Sequence, residues 1–153
     1  MKTFTKLLFS LVTSIVLLGC DSGSMNDADQ MMRPADAVEV DGPITVLRTG
    51  SLLAQSGTST KGMVQLVEAK DGKLFLRLTE DFTSKFTTGT VTVYLSTSNR
   101  LKLAESDSFQ LVSIVGKSGE HFFSLTGPPS SKFTHGIIWC GAAAIPFGFA
   151  ELK

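Results

Sequence analysis

The sequence has no excess of either charge, because 14 Lys and Arg residues balance 14 Asp and Glu residues. A protein without a basic field lacks the long-range attraction used in nucleic-acid binding, so we expect no nucleic-acid partner. Two Cys residues are too few for a disulfide-stapled scaffold. Two His residues cannot alone supply the three protein ligands of a typical catalytic zinc site, although a carboxylate or Cys140 could complete such a set.

The common sequence motifs of enzymes are also missing. There is no Gly-x-Ser-x-Gly elbow, no His-Glu-x-x-His zinc helix and no Gly-x-Gly-x-x-Gly fingerprint. Gly116-Lys117-Ser118 resembles the end of a phosphate-binding loop, but Leu111 stands where that motif needs its first Gly. An ordinary turn is therefore predicted there, and the sequence gives no reason to assign the chain as an enzyme.

Phe and Gly are abundant, with 11 and 14 residues among the 153 of the chain. Hydrophobic residues make up 42% and charged residues 18%, which is typical of a globular protein rather than a disordered one. The length allows one domain with short attachments. A chain rich in Phe, Gly, Ser and Thr favours short strands joined by turns over helices.

The N-terminal residues are typical of an export signal. Lys2 and Lys6 precede an apolar run from Leu7 to Leu18, which is shorter than the roughly 20 residues that span a bilayer as a helix. The run ends in Leu-Leu-Gly before Cys20, which resembles the lipobox of a bacterial lipoprotein signal peptide. The resemblance implies a signal peptide over residues 1–19 and a membrane anchor on Cys20 made of acyl chains such as palmitate. An ordinary secretory signal is the alternative.

Residues 20–45 are expected to form the lipidated Cys and a flexible tether, because this stretch is polar, acidic and without hydrophobic periodicity. Met25, Met31 and Met32 are soft ligands, but without His or Cys beside them we predict no metal site. Asp21 resembles the inner-membrane retention signal of enterobacterial lipoproteins. The predicted location is therefore the bacterial cell envelope, on the periplasmic side of a membrane, with the inner membrane slightly favoured in a Gram-negative cell.

Residues 46–153 carry a pattern of short strands. Apolar residues alternate from Val91 to Leu95, and Gly136 to Cys140 is apolar on both faces, as in a central strand. The predicted strands are 47–54, 63–70, 73–79, 91–95, 109–115, 122–125, 136–140 and 145–150. About eight strands without helical periodicity predict an all-β fold, either an antiparallel β-sandwich or a flattened barrel.

One turn predicts the register of the strands beside it. Asp71-Gly72 separates two apolar runs, and a two-residue Asp-Gly connection favours a type I′ hairpin. Counting outward from this turn places Val67 opposite Leu76, and Glu68 opposite Phe75. We expect Leu76, and the Leu residues two positions before and after it, to face the core.

Cys140 is the only thiol left if Cys20 carries lipid. In an oxidising compartment such a thiol is either protected by burial or used in chemistry. His135 precedes it by five positions, and a regular strand would direct the two side chains to opposite faces, which argues against a shared metal site. We expect His135 and His121 to be structural, with a supporting role at Cys140 as the alternative.

Three segments carry a resemblance to a known family. The first is a Val-Tyr-Leu-Ser strand at Val93 to Ser96, and the second is Ile138-Trp139-Cys140. The third, Phe147 to Leu152, follows the second after a short gap. In this order they resemble the DM-thirteen domain, the Skeletor-type electron-transfer domain, over about residues 46–153. The chain lacks the Gly-Pro-Asp that the family often places before that strand and the basic residue that often follows its Cys.

The resemblance implies a redox domain that acts through Cys140, as a thiol or as a ligand to a prosthetic group such as haem, together with a redox partner protein. Trp139 would then pack beside the thiol. The residues themselves indicate no cofactor, and they are equally consistent with Cys140 as a small core side chain. The alternative function is a non-catalytic β-sandwich that binds an envelope protein or a ligand through its loops.

Overall fold

The computed structural model describes residues 34–153, so Cys20, the predicted signal peptide and the first part of the predicted tether lie outside the described residues. Within residues 34–153, no helix is long and apolar enough to cross a membrane. Two short 3-10 turns cover Phe86–Thr88 and Ser106–Ser108. The strands are β1 (Ala37–Val38), β2 (Ile44–Ser51), β3 (Leu53–Ala54), β4 (Met63–Ala69), β5 (Leu74–Leu78), β6 (Val91–Ser96), β7 (Phe109–Val115), β8 (His121–Leu125), β9 (His135–Cys140) and β10 (Ile145–Glu151).

The strands form two antiparallel five-stranded sheets. Sheet A has the order β1-β8-β5-β4-β2, and sheet B has the order β3-β10-β9-β6-β7. One core cluster contains side chains from both sheets, so the sheets pack face to face. This arrangement confirms the predicted all-β antiparallel sandwich.

The described chain has ten strands where about eight were predicted. The predicted strand 47–54 divides at Leu52, which is buried and carries the chain from sheet A to sheet B. The other addition, β1, has only two residues and is too short to leave a periodic pattern in the sequence.

The core lies between the sheets. Its fully buried side chains come from both layers and include Leu76, Leu78, Val93, Leu95 and Ile138. The sheets come close together at Gly136, where a Cβ atom would lie only 2.7 Å from Val64 Cγ1. A larger residue at this position would push the two layers apart.

The β4–β5 hairpin differs from its prediction. Gly72 N donates to Ala69 O at 2.9 Å, so three residues rather than two form the loop. Gly72 has φ of +80°, as in a type I turn followed by a left-handed Gly. The register of β4 moves by one residue and places Val67 opposite Phe75. Leu76 of β5 still faces the core as predicted, because the change of register alters only which residues of β4 lie opposite β5.

Two seams between the sheets are closed by backbone pairing. At one seam, Ala35 N donates to Val112 O of β7 at 2.7 Å, and the residues after Ala35 pair with β8 as β1. At the other seam, Thr49 of β2 and Lys153 exchange two backbone hydrogen bonds of 3.0 Å. The Arg48 guanidinium strengthens this seam by donating to two backbone carbonyls beside β9 and β10, at 2.7 and 2.8 Å.

Residues 39–43, which we call the strap, cross the outer face of sheet A. They join β1 at one edge to β2 at the other, a span of four strand spacings or about 19 Å. Val40 of the strap packs on an outer cluster of Val67, Phe75 and Phe122. The predicted tether boundary at residue 45 is therefore wrong, because β1 and the strap belong to the folded domain. Their polar composition and lack of periodicity concealed this in the sequence.

The two ends of the sandwich are closed differently. At the closed end, the connection 79–90 covers the core with Phe82, which is 1% exposed. At the loop end, the connections 70–73 and 126–134 leave neighbouring strand ends of sheet A, and residues of 97–108 and 126–134 line a common surface pocket. Strand β9 runs from the loop end to the closed end, so it places His135 at the first and Cys140 at the second.

Candidate functional site

Cys140 lies in the core. It is the only free cysteine of the described residues and is 0% exposed. Its Sγ atom lies 3.9 Å from Thr88 O and 3.8 Å from Thr88 Oγ1, so its hydrogen-bond partners are weak and neutral. A reactive thiolate needs a positive neighbour, a metal or a helix N-terminus, and none of these is among its hydrogen-bond partners. The surroundings of Cys140 are suited to a neutral core side chain.

The structure separates Trp139 from Cys140. Successive residues of a strand point to opposite faces. Cys140 belongs to the core cluster, whereas Trp139 lies on the outer face of sheet B, opposite Thr92 and Pro146. The two side chains therefore do not pack together as the sequence analysis expected.

His135 is also remote from the thiol. It lies at the opposite end of β9, about 17 Å from Cys140 at 3.3 Å per residue, and on the opposite face, as the spacing predicted. Its Nδ1 atom lies 2.8 Å from Thr134 Oγ1. Burial lowers the pKa of His135 from its ordinary value, the carboxylate of Glu151 acts against this shift, and Arg48 adds to it.

His121 is a buried side chain with local partners. Its Nε2 atom lies 3.0 Å from Lys117 O. Its ring stacks on Phe123 at 5.8 Å between centroids and meets the ring of Phe82 edge-on at 6.3 Å. The polar partner of His121 is thus a backbone carbonyl and not the Cys140 thiol.

No metal or haem site forms around these residues. Within residues 34–153, no group of three or more His, Cys, Asp or Glu side chains is arranged to hold a metal ion. Haem, which the family resemblance implies, does not fit Cys140, because its fully buried Sγ atom is out of reach of an iron unless the core opens.

An apolar cleft of about 330 Å³ opens at the loop end of sheet A. Most of its lining is apolar and includes Leu47, Leu66, Leu74, Phe75, Leu125 and Pro128. Arg48 and Ser131 are its polar members. A β-bulge between Val46 and Arg48 brings Leu47 to the rim, where its side chain is 48% exposed. The volume is at the lower end of the range typical of ligand sites.

The outer face of sheet B, which we call the aromatic face, carries the single Trp and the single Tyr of the chain. Directly opposed residues of neighbouring strands project to the same side, so the register defines three rows across this face. The middle row is Leu53, Phe149, Ile137, Tyr94 and Leu111. The row nearer the closed end is Pro146, Trp139, Thr92 and Ile114. The row nearer the loop end is Glu151, His135, Ser96 and Phe109.

Aromatic rings lie close to one another on this face. Tyr94 and Phe109 meet edge-to-face at 5.8 Å between centroids, and the rings of His135 and Phe149 lie 6.1 Å apart. In the described part of the chain, neither hydrophobic cluster attaches another element to this face. Glu151 is the single carboxylate of the three rows.

Neither surface was predicted from the sequence. The aromatic face had a detectable signal, because the alternation that turns Ile138 inward turns Ile137 and Trp139 outward. The cleft had none, since it depends on the bulge at Leu47 and on the path of the connection after β8.

Comparison with known proteins finds no matching family model, no matching curated protein and no matching solved structure. The resemblance to the DM-thirteen domain therefore stays a prediction from the three sequence motifs.

Proposed function

We propose that this chain is a lipid-anchored protein of the bacterial cell envelope that binds an extended apolar segment of another envelope protein and catalyses no reaction. The apolar cleft of sheet A is the observation that supports binding. The burial of Cys140 supports a non-catalytic role, because the most reactive side chain of the described residues is enclosed in the core.

The anchor rests on the sequence around Cys20, where a basic start and a short apolar run lead to the lipobox. Cys20→Ala should move the protein out of the membrane fraction or block its processing. Cys140→Ala is the matched control, since it removes the other Cys and should leave fractionation unchanged. A Cys20→Ala protein that is processed normally and still fractionates with membranes would show that the anchor lies elsewhere.

The edge of sheet A supports a protein segment as the ligand. Val46 and Leu47 are 45% and 48% exposed, so the apolar surface continues from the cleft onto the edge strand β2. The backbone of β2 pairs with Lys153 only from Thr49 onward, which leaves residues 44–47 without a second neighbouring strand in the described structure. An extended peptide can pair with such an edge while its side chains fill the adjacent cleft.

Site-specific photo-crosslinking in membranes tests this binding site. A photoreactive residue in place of Leu47 should give a discrete adduct with another envelope protein. The same residue in place of Leu103, which is 50% exposed in the connection between β6 and β7, should give none. Adducts from both positions, or from neither, would contradict binding at the cleft.

Electron transfer through Cys140, as the family resemblance implies, is the competing proposal and makes opposite predictions. For a binding protein, a thiol reagent should label Cys140 only after denaturation, because the side chain is 0% exposed. A folded Cys140→Ala variant should retain the Leu47 adduct. Fast labelling of the native protein, or a visible chromophore lost in Cys140→Ser, would favour the redox function.

A further inference from the structure

We propose that the aromatic face lies flat on the surface of the membrane that holds the anchor, so that sheet A and its cleft point away from the bilayer. This proposal rests on the lipid anchor of the proposed function. It concerns a surface that the binding site does not use, because the lining strands of the cleft all belong to sheet A.

The composition of the aromatic face fits the membrane interface. Its middle row and the row with Trp139 contain no charged side chain. Trp and Tyr combine an apolar ring with one polar group, and for this reason they are enriched where hydrocarbon meets the headgroups. Both such residues of the chain, Trp139 and Tyr94, lie on this one face.

Two aliphatic side chains extend the face to its edges. Leu53 on β3 is 57% exposed and Ile114 on β7 is 52% exposed, and these strands are the opposite edges of sheet B. Single exposed apolar residues are ordinary on protein surfaces. The centre of the face is tightly packed, since Ile137 is only 1% exposed. The accessible apolar surface therefore consists of Leu53 and Ile114 at the two edges and the half-buried rings of Phe149, Tyr94 and Trp139 between them.

The point where the anchored segment joins the domain favours the membrane as the occupant. Ala35 N donates to Val112 O, and Ser113 Oγ donates to Ala35 O, both at 2.7 Å. The chain from Cys20 therefore joins the domain along β7, the edge of sheet B that carries Ile114. The stretch from Cys20 to Ala35 spans at most about 50 Å even when fully extended, so the face stays close to the bilayer.

The lipid anchor also lowers the affinity for the membrane surface that the aromatic face needs in order to stay bound. A surface held close to its target by a covalent link meets that target at high effective concentration, so weak contacts are sufficient. A separate partner protein would need enough affinity to find the face from solution. Because the two apolar rows contain no Lys or Arg, the contact should depend little on salt or on anionic lipid.

The single Trp of the chain makes this proposal directly measurable. The full-length lipidated protein would be reconstituted into phosphatidylcholine vesicles with and without bromine on the acyl chains near the headgroup. We expect bromine to reduce the Trp139 fluorescence at least twofold, and the vesicles to protect Trp139 from the aqueous quencher acrylamide. Raising the salt concentration should change neither result.

Charged substitutions provide a matched comparison. Ile114→Asp and Leu53→Asp place a carboxylate on the face, and each should reduce bromine quenching severalfold. Leu103→Asp is the control, because Leu103 is 50% exposed and lies in the connection between β6 and β7. Circular dichroism would establish that all three variants are folded.

The outcomes separate this proposal from the anchor on which it rests. Protein that sediments with vesicles but shows no bromine quenching would overturn the orientation and leave the anchor intact. If such protein is also protected from acrylamide, a second copy or the segment after Cys20 covers the face instead. Protein that fails to sediment with vesicles would overturn both the anchor and the orientation.

Discussion

The two outer faces of the sandwich arise from the same alternation of side chains, but they are completed in different ways. On sheet A, the strap seals Phe75 and its neighbours with Val40, and Arg77 donates hydrogen bonds to Gln65 and Glu120 farther along the face. On sheet B, aromatic and aliphatic residues share the three rows of the outer face, with one carboxylate at its edge. Alternation thus determines which residues point outward, whereas a distant segment determines which face is covered.

The largest expected difference between the faces is in the free energy of unfolding after loss of a Phe ring. Phe75→Ala should cost about 3 kcal/mol, because Phe75 is 6% exposed beneath the strap. Phe149→Ala on the aromatic face should cost about 1 kcal/mol, because that ring is only partly buried. Urea unfolding of both variants measures these values. Equal costs would mean that the aromatic face is covered as tightly as sheet A.

A charge on the strap should have the next largest effect. Val40→Asp should destabilise the domain by about 2 kcal/mol, because it places a carboxylate against the outer cluster. Ile114→Asp should stay within about 0.5 kcal/mol of the parent, because its position is exposed. A negligible effect of Val40→Asp would show that the strap does not hold the outer cluster closed.

A smaller effect is expected from the polar part of sheet A. Arg77 pairs with Glu120 and lies 5.5 Å above the ring of Phe122. Glu120→Gln should cost about 0.5–1 kcal/mol at low ionic strength, because the pair is partly exposed to solvent. The difference from the parent protein should shrink in high salt. A cost that is independent of salt would point to packing and not to charge.

The smallest expected effect is a pH dependence at the edge of the aromatic face. Burial lowers the pKa of His135, so the unfolded state binds the proton more readily than the folded state. The contribution of His135 to stability should therefore be complete above about pH 6.5 and decline as the pH falls below that value. His135→Gln should flatten this part of the stability curve. An unchanged slope in the variant would assign it to other groups.

Much of the fold was predictable because it depends on local alternation. Leu76 and Leu78 face the core as expected, and the predicted strands all lie within the two sheets. The register at Asp71-Gly72 was not predictable from the dipeptide, because two-residue and three-residue loops both accept a Gly with positive φ. β1 and the strap escaped prediction because they are held by contacts with distant strands.

The candidate sites depend on three-dimensional context to different degrees. The sequence identified Cys140 as the candidate position for chemistry, yet its reactivity depends on burial, which no local pattern reveals. It also indicated correctly that His135 and Cys140 point to opposite faces, since strand alternation is local. The cleft could not be predicted, because the bulge at Leu47 and the connection after β8 lie far apart in sequence.

The two seams have a consequence for how the chain folds. One seam joins Arg48 to Leu152, which are 104 residues apart in sequence. The other seam joins Ala35 to Ser113, which are 78 residues apart. Closing such long loops lowers the entropy of the chain, and this cost is offset only after the contacts at the seams have formed. The seams should therefore form late, and the domain should fold slowly. Until then the backbone of β2 at Thr49 and of β7 at Val112 is an open template for pairing with other chains. A newly made chain is therefore most prone to aggregation before its seams close, when a chaperone would have the greatest effect on its yield.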